Sequence, residues 1–340
     1  MFRALQVTRD GAGGASAVRV ELREDIPDSE LGEGPLGDGE VLIDVEWSGI
    51  NYKDGLALAG NPGVMRTSPL IPGIDLVGTV AAVAGSADAS ASVRVGDRVL
   101  VNGWGIGETH NGGLATRARV RTEWLVPLPP GISARRAAAI GTAGFTAALS
   151  VLALERGGLG GGDVLVTGAS GGVGSVAIAL LAASGHRPIA STGRPEHRDY
   201  LLSLGAAGTI ARSELAEPGK PLQKQRWAGV IDSVGGTTLA NALAQTVYGG
   251  TVAACGLVGG SDLPTTVMPF ILRGVTLLGI NSVEAPRRMR LEAWDRLSWD
   301  LDFDLLDSLT TEVSLTDAAG AAARTLAGES RGRTVVNVRA

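Results

Sequence analysis

Residues Val164–Gly174 have the sequence VLVTGASGGVG, and SVAIALLAASG follows directly and ends at Gly185. The apolar run before the glycines predicts a buried β-strand, and the apolar run after them predicts an α-helix that ends at Gly185. The turn between them supplies residues without a Cβ, so its backbone can approach a bound anion closely. The first N–H groups of the helix point at the same place. This strand–turn–helix unit predicts a site for the pyrophosphate of a dinucleotide.

The glycines predicted to line this turn are Gly171, Gly172 and Gly174. The pattern departs from G-x-G-x-x-G, because Ala169 stands where the first glycine is usual. The flanking strand and helix restore much of the specificity that the motif loses. A purely structural turn without a ligand is the alternative interpretation.

Helices and strands alternate along the chain after Pro129-Pro130-Gly131. A helix is predicted at ARRAAAIGTAGFTAALSVLALE, residues 134–155. The further strands are predicted at Pro188–Ser191, Gly208–Ile210, Gly229–Asp232, Gly250–Cys255 and Thr276–Ile280. This succession is typical of a parallel, doubly wound sheet. We therefore predict an α/β protein with a Rossmann-type dinucleotide-binding domain at residues 131–284.

Short β-like segments make up the chain before Pro130, and Gly, Pro and Asp clusters separate them. They are MFRALQV, VLIDVEWSGI, VGTVAAV, DRVLVNG and ARVRTEWLVPL. Past Asn281 the sequence predicts an amphipathic helix at 287–301, a helix near 316–327 and a closing strand at 333–339. We expect these to return to the first domain, which then consists of residues 1–130 completed by 285–340.

The chain carries a net charge of −5, so we predict neither a nucleic acid nor an anionic membrane as a partner. Cys255 is the single cysteine, which excludes an internal disulfide and any metal site built from several thiolates. The three histidines are scattered, so no metal site is predicted. The segment Met1–Asp10 lacks the apolar core of a secretory signal, which favours the cytoplasm. The uncharged stretches 137–154 and 164–185 are interpreted as buried segments rather than membrane spans.

The residues after the next predicted strand decide which dinucleotide binds. They are Ser191, Thr192, Gly193 and Arg194, where NAD sites place an Asp or Glu against the ribose 2′-hydroxyl. No carboxylate is present to repel a 2′-phosphate, and a guanidinium can bind one with two charge-assisted hydrogen bonds. We predict NADPH rather than NADH. The alternative is that Arg194 is a solvated loop residue.

Sequence motifs along nearly the whole chain resemble the medium-chain dehydrogenase/reductase superfamily, in its zinc-free quinone-oxidoreductase branch. They are GINYKD (49–54), PGIDLVGTV (72–80), GDRV (96–99), TGASGGVG (167–174) and GRTVV (332–336). Within that branch, STGR, TVAACGLVGG (251–260) and LPTTVMPFILRGVTLLGINSV (263–283) are similar to the NADPH-dependent acryloyl-CoA reductases. The resemblance implies a GroES-like β-rich catalytic domain, a Rossmann domain and a homodimer.

The resemblance also implies the reaction. NADPH would reduce the C=C bond of a short enoyl-CoA, acryloyl-CoA to propionyl-CoA, with hydride added at the β-carbon and a proton at the α-carbon. Without a metal, hydrogen-bond donors can stabilise the charge that develops on the thioester oxygen. One alternative is an NADPH:quinone oxidoreductase, which would share the branch and the cofactor turn. Another is a catalytically silent NADPH-binding scaffold or sensor.

The predicted catalytic residues lie in the loop expected after the strand VLIDVEWSGI. Tyr52 has a phenol that can donate a proton, and Asp54 is expected to orient Tyr52 or Lys53. Asn51 either holds the loop or donates a hydrogen bond to the thioester oxygen. The alternative is a structural turn with Tyr52 half in the core.

Matching positions in the family imply further cofactor contacts. Ser170 and Val173 join the glycines at the pyrophosphate, and Arg212 adds a second positive charge at the 2′-phosphate. Leu257, Ile271 and Ser282 surround the nicotinamide half with Tyr52, and Arg333 reaches the cofactor from the closing strand. For Leu257 and Ile271, core packing is the alternative.

Two further groups lie outside this set. Arg287, Arg288 and Arg290 form the densest basic cluster, and they either contact the CoA phosphates or form a solvated helix face. Cys255 is predicted to be a buried, inert thiol.

Overall fold

Short strands dominate the first part of the chain, and alternating strands and helices follow, as the sequence predicts. The computed structural model describes residues 1–10, 17–32, 34–84 and 93–340. These residues form two compact units, Met1–Thr142 with Leu306–Ala340 and Ala143–Leu305.

The first unit opens with β-structure and one short helix. Its elements before residue 130 are β1 (Phe2–Asp10), β2 (Ala17–Ile26), β3 (Glu40–Ile50), α1 (Tyr52–Leu58), β4 (Asp75–Val83), β5 (Arg98–Asn102), β6 (Arg117–Arg121) and β7 (Val126–Pro127). Strand β2 is not among the predicted strands. Its valines alternate with charged residues, and Val18 and Val20 are more than a third exposed. A strand that buries so little of its surface gives only a weak apolar signal.

The long helix α2 (Ala134–Arg156) follows, and it is interrupted at Gly141, whose φ of 49° and ψ of −160° are not helical. By length and composition α2 could cross a membrane, but 89% of its most apolar part is buried within the structure. This burial supports its interpretation as a core helix.

The second unit alternates strands and helices. Its elements are β8 (Asp163–Val166), α3 (Gly172–Ala183), β9 (Arg187–Thr192), α4 (Arg198–Ser203), β10 (Gly208–Ala211), β11 (Trp227–Asp232), α5 (Gly236–Gln245), β12 (Thr246–Ala254), α6 (Met268–Arg273), β13 (Thr276–Gly279) and α7 (Arg287–Asp300). The chain ends with α8 (Phe303–Ser308), β14 (Thr310–Ser314), α9 (Ala318–Leu326) and β15 (Arg333–Asn337).

The strands of the second unit form one parallel sheet in the order β10-β9-β8-β11-β12-β13. Renumbered within the unit, this is the Rossmann order 3-2-1-4-5-6, in which the direction of winding reverses between β8 and β11. The central strands are fully buried at Leu165, Val230 and Val252, because helices cover both faces. The predicted Rossmann-type sheet is confirmed, and its carboxyl edge at β8 and β11 is where such folds bind ligands.

In the first unit, β14, β15, β3, β4, β5 and β7 form a sheet in that order, with β6 also paired to β3. Strand β15 is antiparallel to β3, so the closing strand does return to the N-terminal unit. The core of this unit includes Val41, Ile43, Val45 and Val336, all fully buried. The predicted GroES-like β-rich domain is confirmed as an architecture.

The divisions at Thr142 and Leu305 differ from the predicted boundaries at 130/131 and 284/285. The first lies inside α2, one residue after the interruption at Gly141, rather than at the prolines that precede the helix. The second comes later because α7, expected to return to the first unit, packs against α3 of the second. Only β14, α9 and β15, with part of α8, complete the first unit.

Candidate functional site

The turn after β8 is built on Gly168, which has a φ of 58° in the left-handed region. A Cβ at this position would overlap Ser233 Oγ, so both the conformation and the space require glycine. The Gly168 carbonyl accepts a hydrogen bond from the Gly171 N–H at 3.0 Å, and Gly171 is the N-cap of α3. Gly168, one residue before Ala169, is therefore the glycine on which the shape of the turn depends.

Gly174 allows α3 to lie close to the end of β8. A Cβ on Gly174 would stand 2.5 Å from Gly168 O and 2.6 Å from Ala169 Cα. The backbone N–H groups of Gly172, Val173 and Gly174 are the first of the helix and have no acceptor one turn earlier. With Ser170 and Gly171 they form a partly exposed group of backbone donors whose chemistry fits a pyrophosphate.

Arg194 and Arg212 each follow the carboxyl end of one of two neighbouring strands, β9 and β10. Ala211 pairs with Thr192 in the parallel register of β10 and β9, so Arg212 follows at the level of Gly193. A Cβ on Gly193 would lie 2.8 Å from Arg212 Cζ, which places that guanidinium directly against the loop. The Arg194 N–H donates to Thr192 Oγ1 at 3.1 Å, which fixes the start of the same loop.

Neither Arg194 nor Arg212 forms an ion pair with an acidic side chain of the described chain. Both positive charges are therefore available to a ligand beside the glycine turn. Ser191 is buried under the loop and accepts the Ala169 N–H through its carbonyl at 3.4 Å, which joins the loop to the turn. The donor set fits a dianionic phosphate.

In the first unit, Asn51, Tyr52 and Asp54 form the start of helix α1 rather than a loop. The carboxylate of Asp54 accepts the Asn51 backbone N–H at 2.8 Å, three residues earlier, which is a capping interaction. Tyr52 is the first helical residue and its side chain is 37% exposed. The Tyr52 side chain is thus partly exposed at the surface of this unit, and the segment is the start of a helix rather than a turn.

Asp54 itself is fully buried. The expected role of Asp54 in orienting Tyr52 or Lys53 is not supported by its contacts. Its Oδ1 accepts the N–H groups of Gly73 at 3.1 Å and Ile74 at 2.9 Å. The Lys53 ammonium instead pairs with Glu108 at 2.8 Å. Asp54 is therefore a positioning residue that joins the start of α1 to the PGID segment before β4.

Asn51 is held by charged groups on both sides. Its Nδ2 donates to Asp75 Oδ2 at 2.8 Å and lies 3.3 Å from Asp54 Oδ2, and its Oδ1 accepts from Arg333 Nη1 at 3.1 Å. Both amide protons have acceptors inside the unit. Of its two predicted roles, the geometry supports holding the start of the helix, not donating to a thioester oxygen.

The buried Asp75 and Arg333 and the half-buried Thr142 complete this cluster. Asp75 Oδ1 accepts from Thr142 N at 2.7 Å, Thr142 Oγ1 at 2.6 Å and Asn102 Nδ2 at 2.6 Å. Arg333 is 3% exposed, and its Nε donates to Ala139 O at 2.6 Å. Burial lowers the pKa of Arg333, while the charges of Asp75 and Asp54 oppose that shift. We call Asn51, Asp54, Asp75, Thr142 and Arg333 the buried polar cluster.

The predicted cofactor contact by Arg333 does not fit this arrangement. All three guanidinium nitrogens face groups of the first unit, among them the carbonyls of Ile50, Ala138 and Ala139. Asp75 is not among the predicted site residues, although it lies in the PGID motif. A buried acidic residue immediately before an apolar strand was the available signal.

Burial, and to a lesser degree the negative charge of Asp75, raise the pKa of the Asp54 carboxyl to about 7. The hydrogen bonds that the backbone N–H groups of Asn51 and Ile74 donate to this carboxyl lower its pKa and so oppose the shift. Because the pKa is raised on folding, the protonated carboxyl stabilises the fold at low pH, and this contribution is lost as the pH rises towards 7.

For Asp54→Asn, we expect a less stable protein, because an amide nitrogen cannot accept the backbone N–H groups that Asp54 binds. The difference in unfolding free energy between wild type and variant should shrink as the pH rises from about 5 to about 7.5. Urea denaturation at a series of pH values measures it. A difference that stays constant would show that Asp54 does not titrate in this range.

Leu257 and Ile271 are 65% and 72% exposed, so core packing within the second unit is excluded for both. Ser282 is half-buried, and its carbonyl accepts from Arg290 Nη2 at 3.1 Å. Arg290 is 2% exposed and also binds the carbonyls of Val283 and Ala285. It therefore anchors the loop that carries Ser282 and is not open to CoA phosphates, which is a correction to one of the predicted options.

Cys255 donates through Sγ to the Asp232 carbonyl at 3.3 Å. Burial, with a contribution from the charge of Asp232, raises the pKa of the thiol to about 12. A thiol with so high a pKa is a poor nucleophile, which supports the predicted absence of a covalent role. Among the described residues, no group of three or more His, Cys, Asp or Glu side chains is arranged to hold a metal ion.

Comparison with known proteins agrees with this geometry. Residues 37–130 match the family model for the alcohol dehydrogenase GroES-like domain, and residues 172–299 match the model for zinc-binding dehydrogenases. The chain belongs to the medium-chain dehydrogenase/reductase superfamily.

Within the superfamily the chain lies in the acryloyl-CoA reductase branch. It is 49% identical over 343 aligned positions to the acrylyl-CoA reductase AcuI of Ruegeria pomeroyi, with all of both chains covered. It is 44% identical to the putative quinone oxidoreductase YhfP of Bacillus subtilis, with 99% of each covered. The yhdH oxidoreductase of Salmonella enterica, solved in complex with NADP, superimposes with a TM-score of 0.90 at 48% identity and 99% coverage of each chain.

Proposed function

We propose that this protein catalyses the NADPH-dependent reduction of the C=C bond of a short-chain enoyl-CoA, acryloyl-CoA to propionyl-CoA. The observation that carries the cofactor assignment is the presence of Arg194 and Arg212 beside the glycine turn. Neither arginine forms an ion pair with an acidic side chain among the described residues. The substrate class is supported by the full-length similarity to a named acrylyl-CoA reductase.

When bound, NADPH supplies the hydride that adds to the β-carbon of the enoyl thioester. The chain's own residues do the rest. Backbone N–H groups at the start of α3 bind the pyrophosphate, and the two arginines bind the 2′-phosphate. We assign to the exposed Tyr52 phenol the proton that arrives at the α-carbon. Asp54, enclosed by its donors, acts only by fixing the start of α1.

The direct test follows NADPH consumption at equal concentrations of acryloyl-CoA, crotonyl-CoA and a benzoquinone. We expect the highest kcat/KM with acryloyl-CoA. A preference for the benzoquinone would favour the second candidate, an NADPH:quinone oxidoreductase, which the similarity to YhfP supports. Tight NADPH binding without turnover of any acceptor would indicate the scaffold or sensor and overturn the enzymatic proposal.

We also propose that two copies of this chain associate through the edge of the Rossmann sheet. Strand β13 is the outermost strand, and Leu278 on it is 37% exposed. Val267, Ile271 and Leu272 are exposed by more than half on the adjoining segment. A paired edge would bury this apolar surface and satisfy the free backbone groups of β13.

Light scattering on the purified protein measures the association, and we expect twice the mass of one chain. Leu278→Lys should yield the monomer, since it places a charge in the shared edge. Leu291→Lys is the matched control on α7, where Leu291 is 41% exposed. A monomeric wild type would disprove the interface.

We propose that catalysis needs no metal, because the chain has a single cysteine and the PGID segment holds none. Elemental analysis of active protein would contradict this if zinc were present at one ion per chain. We place the enzyme in the cytoplasm.

A further inference from the structure

We propose that Thr167, Asp232 and Ser233 are positioning residues that fix the pyrophosphate turn and thereby set the affinity for NADPH. This inference rests on the proposed function in one respect, namely that NADPH binds at the turn. None of the three side chains belongs to the predicted cofactor contacts. They lie directly behind the turn, at the carboxyl ends of β8 and β11.

The hydroxyl of Thr167 joins the two strand ends. Its Oγ1 donates to Asp232 Oδ1 at 2.6 Å and accepts the Ser233 N–H at 3.1 Å. The Ser233 Oγ donates back to the Thr167 carbonyl at 3.0 Å. Thr167 is 1% exposed and Asp232 is fully buried, so water does not compete for these bonds.

Asp232 extends the connection into the next loop. Its Oδ2 accepts the Gly235 N–H at 2.7 Å, just before α5 begins. One carboxylate thus holds both the strand that precedes the glycine turn and the loop packed against it. Burial raises the pKa of Asp232, and its bonds to Thr167 and Gly235 oppose that shift.

The cluster acts on the turn through Gly168. Thr167 precedes this glycine, and Ser233 Oγ occupies the space that a Cβ on Gly168 would need. The Gly168 carbonyl in turn accepts from Gly171 N, and it lies so close to Gly174 that a Cβ there would stand 2.5 Å from its oxygen. The orientation of the first N–H groups of α3 therefore depends on where the Thr167 bonds hold residue 168.

Removing the Thr167 hydroxyl takes a hydrogen bond from the buried carboxylate of Asp232 and another from the partly buried Ser233 N–H. The strand ends at Thr167 and Asp232 then relax, which moves Thr167 and with it the neighbouring Gly168. Because pyrophosphate binding depends on several aligned N–H groups, a small displacement of the turn weakens all of them together. The acyl-CoA substrate makes no contact with this cluster in the proposed mechanism, so its KM should not change.

The test compares Thr167→Val, which removes the hydroxyl at nearly constant shape, with Thr167→Ser, which retains it. Thr246→Val is the matched control. Thr246 is also fully buried, and its Oγ1 donates a single bond to Ala242 O at 2.8 Å at the opposite end of β12. The readouts are the Kd for NADPH from the quenching of protein fluorescence, and KM for acryloyl-CoA with kcat at saturating NADPH.

We expect Thr167→Val to raise the Kd for NADPH about tenfold, because the displaced turn no longer aligns its N–H groups with the pyrophosphate. Thr167→Ser should restore most of the affinity, and Thr246→Val should leave the Kd unchanged at a similar loss of thermal stability. An unchanged Kd in Thr167→Val, or an equal rise in Thr246→Val, would overturn the proposal.

Should Thr167→Val not fold, Ser233→Ala serves as the second variant, because it removes only the bond to the Thr167 carbonyl. We expect a smaller rise in Kd from it, and an unchanged value would equally overturn the proposal. Wild-type protein that does not bind NADPH would instead refute the proposed function, so the two failures are distinguishable.

Discussion

Replacing both Arg194 and Arg212 with alanine should raise KM for NADPH by about 100-fold and leave KM for NADH unchanged. Each charge-assisted hydrogen bond to a phosphate contributes about 1.5 to 3 kcal/mol, and partial exposure of the site reduces that range. Two such contacts at about 1.4 kcal/mol each give two factors of ten. NADH lacks the 2′-phosphate, so the substitutions remove no contact to it.

The matched control is the double variant Arg187→Ala with Arg226→Ala, which removes the same charge. Arg187 begins β9 and Arg226 precedes β11, so both lie at the amino ends of strands, away from the turn. Steady-state kinetics with each coenzyme measure the outcome. An equal rise in KM for NADPH and for NADH would show that Arg194 and Arg212 do not bind the 2′-phosphate.

A second large effect is expected from Tyr52→Phe, which should lower kcat by about 100-fold with little change in KM for NADPH. General acid catalysis by a positioned side chain contributes about 100- to 10,000-fold, and we take the lower end because water can replace a partly exposed phenol. The substitution keeps the ring and removes only the group that donates the proton. The reduction of acryloyl-CoA at saturating NADPH is the measurement.

Tyr248→Phe is the control for this variant, since Tyr248 is 77% exposed on β12 of the second unit. It should retain full activity. Full turnover in Tyr52→Phe would assign the proton to bound water. The role of Asp54 would be unaffected by that result, because its carboxylate contacts the protein interior only.

The Rossmann unit was predictable because its signals are local. The apolar run at Val164, the glycines after it and the alternation of strand and helix each lie within a short stretch of sequence. The same holds for the loop at Ser191–Arg194, which the absence of a carboxylate marks. Arg212 joins that loop through the parallel register of β9 and β10, which the family resemblance implied and local sequence does not show.

The start of α1 was expected to be a loop although a local signal was present. Asn51 and Asp54 have the three-residue spacing of a reciprocal N-terminal cap, and that spacing would have predicted the helix. Reassigning Asp54 from catalysis to positioning required the structure. Its partners Gly73 and Ile74 come from a separate segment, and no periodicity in the sequence links them to α1.

The first domain boundary is predicted at Pro130 and Gly131 because such residues usually mark linkers. In this chain the division falls inside a helix, after a glycine whose conformation interrupts it. Helix α7 has an amphipathic pattern that fits packing on either unit equally well. The sequence therefore identifies the helix without identifying the surface it covers.

The buried polar cluster bears on how this enzyme can be recombined with its relatives. Asn51, Asp75, Thr142 and Arg333 are distant in sequence and meet in one place, and Gly141 leaves room there that a Cβ would take from Asp75 and from Arg333 Nη2, 2.7 Å away. A chimera joined at the prolines near residue 130 would take Asp75 from one parent and Gly141, Thr142 and Arg333 from the other. A chimera made to change substrate specificity therefore has to take all residues of this cluster from the same parent, even though they are spread over most of the chain.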